Sequence, residues 1–308
     1  MTGCPRLAPD VGEAEEMDDH EWVAERFERH RTHLRGVAYR MLGSLSEADD
    51  AVQEAWLRLS RSDASVVKNL EGWLTTVVAR VCLDVLRSRK LRREEPLDQH
   101  MSEAIMIPEV GGGPETEVLL ADSVGLALLV VLDRLPPAER LAYVLHDMFN
   151  LPFEDIALIV ERSPTAARQL ASRARRRVQG AAAVPDVDLA RQHEVAEAFL
   201  AASRDGDFDA LLAVLDPDVV LRADATPGRP ARKVIDAPAV ARGALAYSAR
   251  SRFAQLALVD GTVGVVVAPR GRLLVVLAFT FADGKIVAID VVGDPERLST
   301  LDLAVLND

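Results

Sequence analysis

The stretch that most constrains this chain runs from Leu151 to Val178, LPFEDIALIVERSPTAARQLASRARRRV. It divides into two short helices separated by a tight turn. In the first, Phe153, Ile156, Ala157 and Val160 recur at helical spacing and form one apolar face. Ser163 is placed to cap the second helix, with Pro164 at its first position, where the missing N–H costs nothing. The helical repeat then puts Ala167, Leu170, Ala171, Ala174 and Val178 on one side. Thr165, Arg168, Gln169, Ser172, Arg175 and Arg176 fall on the other. From Arg162 to Arg177 there are six arginines and no acid. A solvated basic helix in an ordinary helical pair has the same charge. The cap, the short turn and the unbroken positive face together point instead to a helix-turn-helix whose second helix enters a major groove. Arginine there grips phosphate or a guanine edge, and Gln169 is suited to adenine.

The formal net charge of −12 runs against DNA binding until its distribution is read. Residues 1–20 carry one arginine against six acids, and residues 101–150 carry two basic residues against eight acids. Positive charge is concentrated on two segments, 80–93 and 162–177. Repulsion from the rest weakens DNA binding by the isolated chain, a difficulty that a partner supplying most of the affinity would remove. Two cysteines, Cys4 and Cys82, imply no disulfide framework, and a reducing cytoplasm is the expected setting. No apolar run approaches the roughly 20 residues that span a bilayer, so no membrane association is expected. There is no phosphate loop, metal cluster or nucleophile motif, and no cofactor is called for. His30 and His33 lack a third ligand, and Cys82 sits on an apolar helix face.

In chain order, the acidic residues 1–20 read as a disordered tail. A helix is expected from Glu21 to Leu42, through Trp22, Phe27, Leu34, Val37, Ala38 and Met41. After a turn, Ser46 is a candidate cap for EADDAVQEAWLRL, buried along Val52, Ala55, Trp56 and Leu59. That stripe leaves a mixed surface of Asp49, Asp50, Gln53, Glu54 and Leu57. A second basic helix follows in EGWLTTVVARVCLDVLRSRKLRRE. Residues 96–118, with Gly111–Gly113 and three prolines, read as a flexible linker. Another helical unit begins near 119, and Pro136–Pro137 opens the helix that leads into the helix-turn-helix.

The words ADDAVQEAWLRL, GWLTTVVARVCLDVLRSRKLRRE and LPPAERLAYVLHDMFNLPFEDIALIVERSPTAARQLASRARRRV, in this order, resemble the extracytoplasmic-function (ECF) sigma factors of the sigma-70 family. The resemblance covers about 21–180. It implies a region two over 21–95 and a region four over 119–180, both helical. It further implies two partners, core RNA polymerase and promoter DNA. Asp49, Asp50, Gln53, Glu54 and Leu57 would dock on core polymerase. Lys68, Asn69, Arg80, Arg87, Arg89, Lys90 and Arg92 would line the path of the −10 DNA. Thr165, Arg168, Gln169, Ser172, Arg173, Arg175 and Arg176 would meet the −35 element. Arg80 stands where the family commonly has Asn, and Leu170 where many members are basic.

A short linker, 181–189, leads to a third unit over 190–308, and residues 181–308 together carry 18 acids against 13 bases. Helical patterns flank Asp205-Gly206-Asp207, a strand is expected at Val219–Arg222 and a helix at Pro238–Arg250. Four apolar strands follow, Phe253–Val259, Thr262–Ala268, Leu273–Phe281 and Ile286–Val292, with Asp260-Gly261 and Asp283-Gly284 as hairpin turns. Helices followed by an antiparallel meander make an α+β fold with a curved sheet, which resembles a SnoaL-like cone. Arg222, Asp224, Tyr247 and Asp290 are the polar residues available to line a pocket for a small-molecule ligand, without an acid–base set for catalysis. The segment around Pro295 to Leu301 is expected to touch the helical part and regulate it in cis. Two other readings stand beside the sigma factor: a stand-alone helix-turn-helix regulator with a ligand-sensing cone, and a cone-class enzyme tethered to DNA.

Overall fold

In a computed structural model, residues 11–62, 69–94, 125–180, 187–225, 230–251 and 253–306 are described. The first three helices are α1 (Val11–Leu42), α2 (Leu45–Leu59) and α3 (Leu70–Glu94). They pack on one another through Leu34, Val37, Met41, Val52, Ala55, Leu74, Val78 and Cys82, all buried. Two local expectations change. Helix α1 begins at Val11, inside the stretch expected to be disordered, because GEAEEM is rich in good helix formers despite its acidity. The cap of α2 is Ser44, whose hydroxyl accepts from the Glu47 N–H, and not Ser46. Leu45 is buried in the core, which draws the first turn two residues back.

The second helical unit comprises α4 (Leu126–Arg134), α5 (Pro137–Tyr143), a π-helical turn (Val144–Met148), α6 (Phe153–Val160) and α7 (Pro164–Gln179). The helix-turn-helix forms as its sequence dictates. Ser163 Oγ accepts from the Ala166 N–H at 3.2 Å, and Ala167, Ala171, Ala174 and Val178 are buried. Glu161, at φ 56°, closes α6 in the left-handed region.

The C-terminal unit has α8 (Val187–Asp205), α9 (Phe208–Val214), α10 (Ala237–Ala246), α11 (Ser248–Ser251) and α12 (Pro295–Thr300). Its strands are β1 (Leu215–Ala223), β2 (Arg232–Ile235), β3 (Ala254–Val259), β4 (Thr262–Val267), β5 (Val275–Ala282), β6 (Lys285–Val292) and β7 (Leu303–Ala304). They form one open sheet in the order β2-β1-β6-β5-β4-β3-β7. The β3–β6 meander is antiparallel as expected, and both hairpin turns place Asp and Gly at positive φ, at Asp260-Gly261 and Asp283-Gly284. β6 then lies parallel to β1, and β1 shifts register between Leu215 and Val220, which bends the strand.

Both faces of the central strands are covered. Ala254, Leu258, Val263, Val265, Phe279 and Ile289 belong to the core under α8–α10. Ala257, Val259, Val266, Ala268, Val276 and Val292 belong to the same core as α1–α7. That is why β4 reads TVGVVV, with no polar alternation. The C-terminal unit is therefore packed against the helix-turn-helix unit, which serves as its second layer.

Candidate nucleic-acid and polymerase interfaces

Burial of Ala48, Ala51, Val52 and Ala55 turns the opposite face of α2 outward. Asp50, Gln53 and Leu57 are exposed there, and Leu57 keeps 39% of its surface accessible, which the packing of region two does not require. Asp49 is held by Arg35 at 2.8 Å, and Glu54 by Arg58 at 2.9 Å. Those two acids are thus oriented by neighbours, while Asp50, Gln53 and Leu57 form the outer ridge.

The expected −10 residues divide by what they already hold. Lys68 lies outside the described residues, as does the side chain of Arg92. Asn69 caps α3, its Oδ1 accepting from the Gly72 N–H at 3.0 Å. Arg87 is exposed, 3.9 Å from Asp84, and Lys90 is exposed beside it. Arg89 is turned inward, donating to Glu47 and to the Leu42 carbonyl at 3.2 Å. Arg80 donates to the Leu158 carbonyl on α6 at 3.3 Å. The −10 candidate face therefore touches the helix-turn-helix unit directly.

On α7, Thr165, Arg168, Gln169 and Ser172 point to solvent, with Arg176 one turn further along. The Arg168 guanidinium lies 5.2 Å from the Phe153 ring centroid, a cation–π contact that presents it at the front of the helix. Arg173 and Arg177 fold back onto Glu139, which is 6% exposed, and Arg175 pairs with Asp147. Three of the arginines thus fasten the recognition helix to its scaffold. The remaining outward set is Thr165, Arg168, Gln169, Ser172 and Arg176.

Reasoning from sequence missed the junction residues. Arg140 is 2% exposed on its side chain; its Nε donates to the Arg40 carbonyl at 3.2 Å and its Nη1 to Asp133 at 3.3 Å. Burial lowers its pKa against the pull of Asp133. Its partner Asp133 is exposed, so removing that carboxylate leaves the buried guanidinium with the Arg40 carbonyl alone. Arg40 in turn stacks 5.2 Å from the Phe149 ring, and His33 meets the same ring edge-on at 5.2 Å. The word PAERLAY gives no sign that its arginine is interior. The approach of α1 and α3 to α5 buries it.

A second junction ties the C-terminal unit to the helix-turn-helix unit. Arg134 donates to the Leu298 and Leu301 carbonyls, each at 2.5 Å, so the segment expected to touch the helical part does so. Gln255 Oε1 accepts from the Ala127 N–H at the start of α4 at 2.8 Å. The Val305 N–H donates to the Val178 carbonyl at 2.8 Å, satisfying one of the open carbonyls at the end of the recognition helix. Gly180 has φ 71°, and a Cβ there would meet Ala304 Cβ at 2.8 Å, so both conformation and space call for glycine.

Arg222, Asp224, Tyr247 and Asp290 are not brought together as a pocket. Arg222 and Asp290 are register partners across β1 and β6, 3.5 Å apart and exposed. Asp224 accepts from the Gly293 and Asp294 N–H groups at 2.9 and 3.2 Å and pairs with Arg297, so it clasps the turn before α12. Tyr247 is 45% exposed. Burial pushes the Cys82 thiol up to about 12, in keeping with its place in the core. Among the described residues no group of three His, Cys, Asp or Glu could hold a metal, and no helix is long and apolar enough to cross a membrane.

A helical unit with an outward acidic-apolar ridge and a basic helix, followed by a helix-turn-helix, defines a promoter-recognition subunit in two parts. Comparison agrees: residues 26–92 match Sigma-70 region 2, and residues 125–178 match Sigma-70, region 4. The chain is 37% identical over 289 residues to the Mycobacterium tuberculosis protein named "Probable ECF RNA polymerase sigma factor SigI", covering 92% of this chain and 98% of that one. It is 38% identical over 288 residues to the ECF RNA polymerase sigma factor SigJ of the same species, covering 89% and 92%. The crystal structure of SigJ aligns over 90% of this chain and 98% of its own, at 34% identity and a TM-score of 0.44. The chain belongs to the ECF sigma factors of the sigma-70 family.

Proposed function

We propose that this sigma factor alternates between a closed free form and an open promoter-bound form, and that its C-terminal unit sets the balance in cis. In the open form the ridge of Asp49, Asp50, Gln53, Glu54 and Leu57 docks on core polymerase. The outward face of α7 reads the −35 element, and the basic end of α3 follows the −10 DNA, with Arg87 and Lys90 leading. The single observation that carries the closed form is the Arg80 to Leu158 hydrogen bond. Two promoter elements more than two turns of duplex apart lie upwards of about 70 Å from one another. Region two and region four cannot stay in hydrogen-bond contact and reach both. The C-terminal unit holds α4 and the end of α7 through Arg134, Gln255 and Val305, and so fixes region four against itself.

The C-terminal unit acts here as a regulatory body without chemistry of its own. Its candidate polar residues serve structure: Asp224 clasps a turn, and Arg222 pairs across two strands with Asp290. A small molecule bound in it would shift the balance only by binding the two forms differently. The setting that these partners require is the cytoplasm. The test is transcription reconstituted with core polymerase over a promoter library, comparing the full chain with a chain ending at Val184. Altered output from the shortened chain is expected. Equal output across promoters and salt concentrations would sink the proposal. Transcription factor activity without any dependence on added core binding would favour the stand-alone regulator instead.

A further inference from the structure

The Phe153 ring on α6 is shared between two side chains from different elements. The His146 imidazole stacks on it, with ring centroids 3.8 Å apart and planes 30° from parallel. The Arg168 guanidinium of α7 lies over it, 5.2 Å from the centroid. His146 comes from the π-helical turn, where the Leu151 N–H reaches back to the Leu145 carbonyl at 2.9 Å. Its Nδ1 lies 2.9 Å from the Leu151 carbonyl, which can only accept, so Nδ1 carries the proton and the ring is fixed in orientation. His146 and Phe153 are half-buried and Arg168 is exposed. The stack thus runs from the scaffold out to the recognition face.

The manner of holding sets Arg168 apart from its neighbours. Carboxylates hold Arg173, Arg175 and Arg177 and take up N–H donors of each. A ring beneath a guanidinium engages its flat face and leaves the N–H donors at its edge free. Two of those donors, side by side, match O6 and N7 of guanine in the major groove. An unrestrained arginine gives up rotamer freedom when it binds, and one already laid on a ring gives up less. The ring also fixes where the fork points, so discrimination between bases depends on the ring staying in place.

We propose that His146 and Phe153 are positioning residues for promoter reading: His146 fixes the Phe153 ring, and the ring aims Arg168 at one guanine of the −35 element. The proposal rests on the reading above that the outward face of α7 meets that element. It adds that selectivity at one base pair is set by a half-buried histidine outside the recognition helix, acting through Phe153 and not by touching DNA.

The test titrates the full chain, assembled with core polymerase, against promoter duplexes carrying each single-base change in the −35 element. Arg168→Ala should relax discrimination at one position, by about tenfold. Phe153→Leu keeps apolar volume, and His146→Asn keeps a donor for the Leu151 carbonyl. Each should lower discrimination at that same position about two- to fivefold, the worth of an exposed cation–π contact. His146→Phe, a ring without the donor, should retain it. Combining His146→Asn with Arg168→Ala should cost nothing beyond Arg168→Ala alone. A histidine that merely braces the turn through Leu151 gives the reverse order, with Asn tolerated and Phe harmful, and that result overturns the proposal. So does full discrimination in both His146→Asn and Phe153→Leu while Arg168→Ala still relaxes one position, which leaves the −35 reading intact. If Gln169→Ala relaxes a position and Arg168→Ala none, the proposal falls alone. If neither relaxes any, the −35 reading falls with it. Should Phe153→Leu fail to fold, the two His146 variants decide.

Discussion

Replacing Arg134 by alanine removes the polar half of the grip between the C-terminal unit and region four. The side chain is part-buried and donates to two main-chain carbonyls, Leu298 and Leu301, that no other described side chain serves. Burial lowers its pKa while Asp133, Asp302 and Asp260 pull the other way, so it remains the cation of a local acidic setting. A hydrogen bond from a charged donor contributes about 1.5–3 kcal/mol, and partial exposure brings the pair to about 2–3 kcal/mol together. Apolar contacts of Leu298, Leu301 and Leu303 with the helical core remain, so the segment loosens without leaving. The change corresponds to roughly 30- to 150-fold in the local opening equilibrium. Amide hydrogen exchange reads this at Val305, whose N–H is bonded to the Val178 carbonyl. Exchange there should quicken by that factor, while amides at the centre of β5 and β6 keep their protection. An exchange rate at Val305 within about threefold of the unaltered chain would show that Arg134 does not hold the junction.

Other consequences follow from the same contacts. Asp50→Arg with Leu57→Ala should weaken binding to core polymerase in a pull-down titration while leaving helicity unchanged, because both residues face away from the core of region two. Gln169→Ala should relax base preference at one position of the −35 element, worth about 1–3 kcal/mol, whereas Arg176→Ala should lower affinity for all sequences and flatten its salt dependence. His33 has its pKa lowered from 6.5, first by burial, with Glu71 opposing and His30 adding. The unfolded chain then binds the proton more readily than the folded one. Stability of the junction is full above pH 6.5 and falls as the pH drops below it, levelling off under the depressed folded value. Thermal melting between neutral and mildly acidic pH should show this loss, and His33→Gln should remove it.

What could be read from the chain and what could not separate along a physical line. Ser163, Pro164 and the alternation of alanine with arginine determine α7 locally, so the helix-turn-helix was legible. Asp260-Gly261 and Asp283-Gly284 likewise specify their hairpins by φ alone. Asp224 as a turn clasp and the parallel pairing of β1 with β6 depend on segments some 70 residues apart, and β7 on β3 some 45 residues before it, and nothing near them in sequence announces the partner. The same holds for the basic residues. Thr165, Arg168, Gln169, Ser172 and Arg176 face outward as the helical repeat requires. Arg173 and Arg175 were equally suited to DNA by position, and only the placement of Glu139 and Asp147 shows them fastened to the scaffold. Arg140 carries no local signal either, since its burial comes from helices distant in sequence. The all-apolar β4 carried a signal that was available, since a strand without polar alternation needs cover on both faces.

Closure of region two onto region four in the free protein is the claim from which the rest follows. Its most direct measurement is a distance between spin labels at Arg61→Cys, beyond α2, and Arg162→Cys, before α7, in a chain whose own cysteines have been replaced. A single short distance is expected in the free protein. It should give way to a much longer one in the complex with core polymerase and promoter DNA. An extended distance in the free protein, or the same distance in both states, would contradict closure.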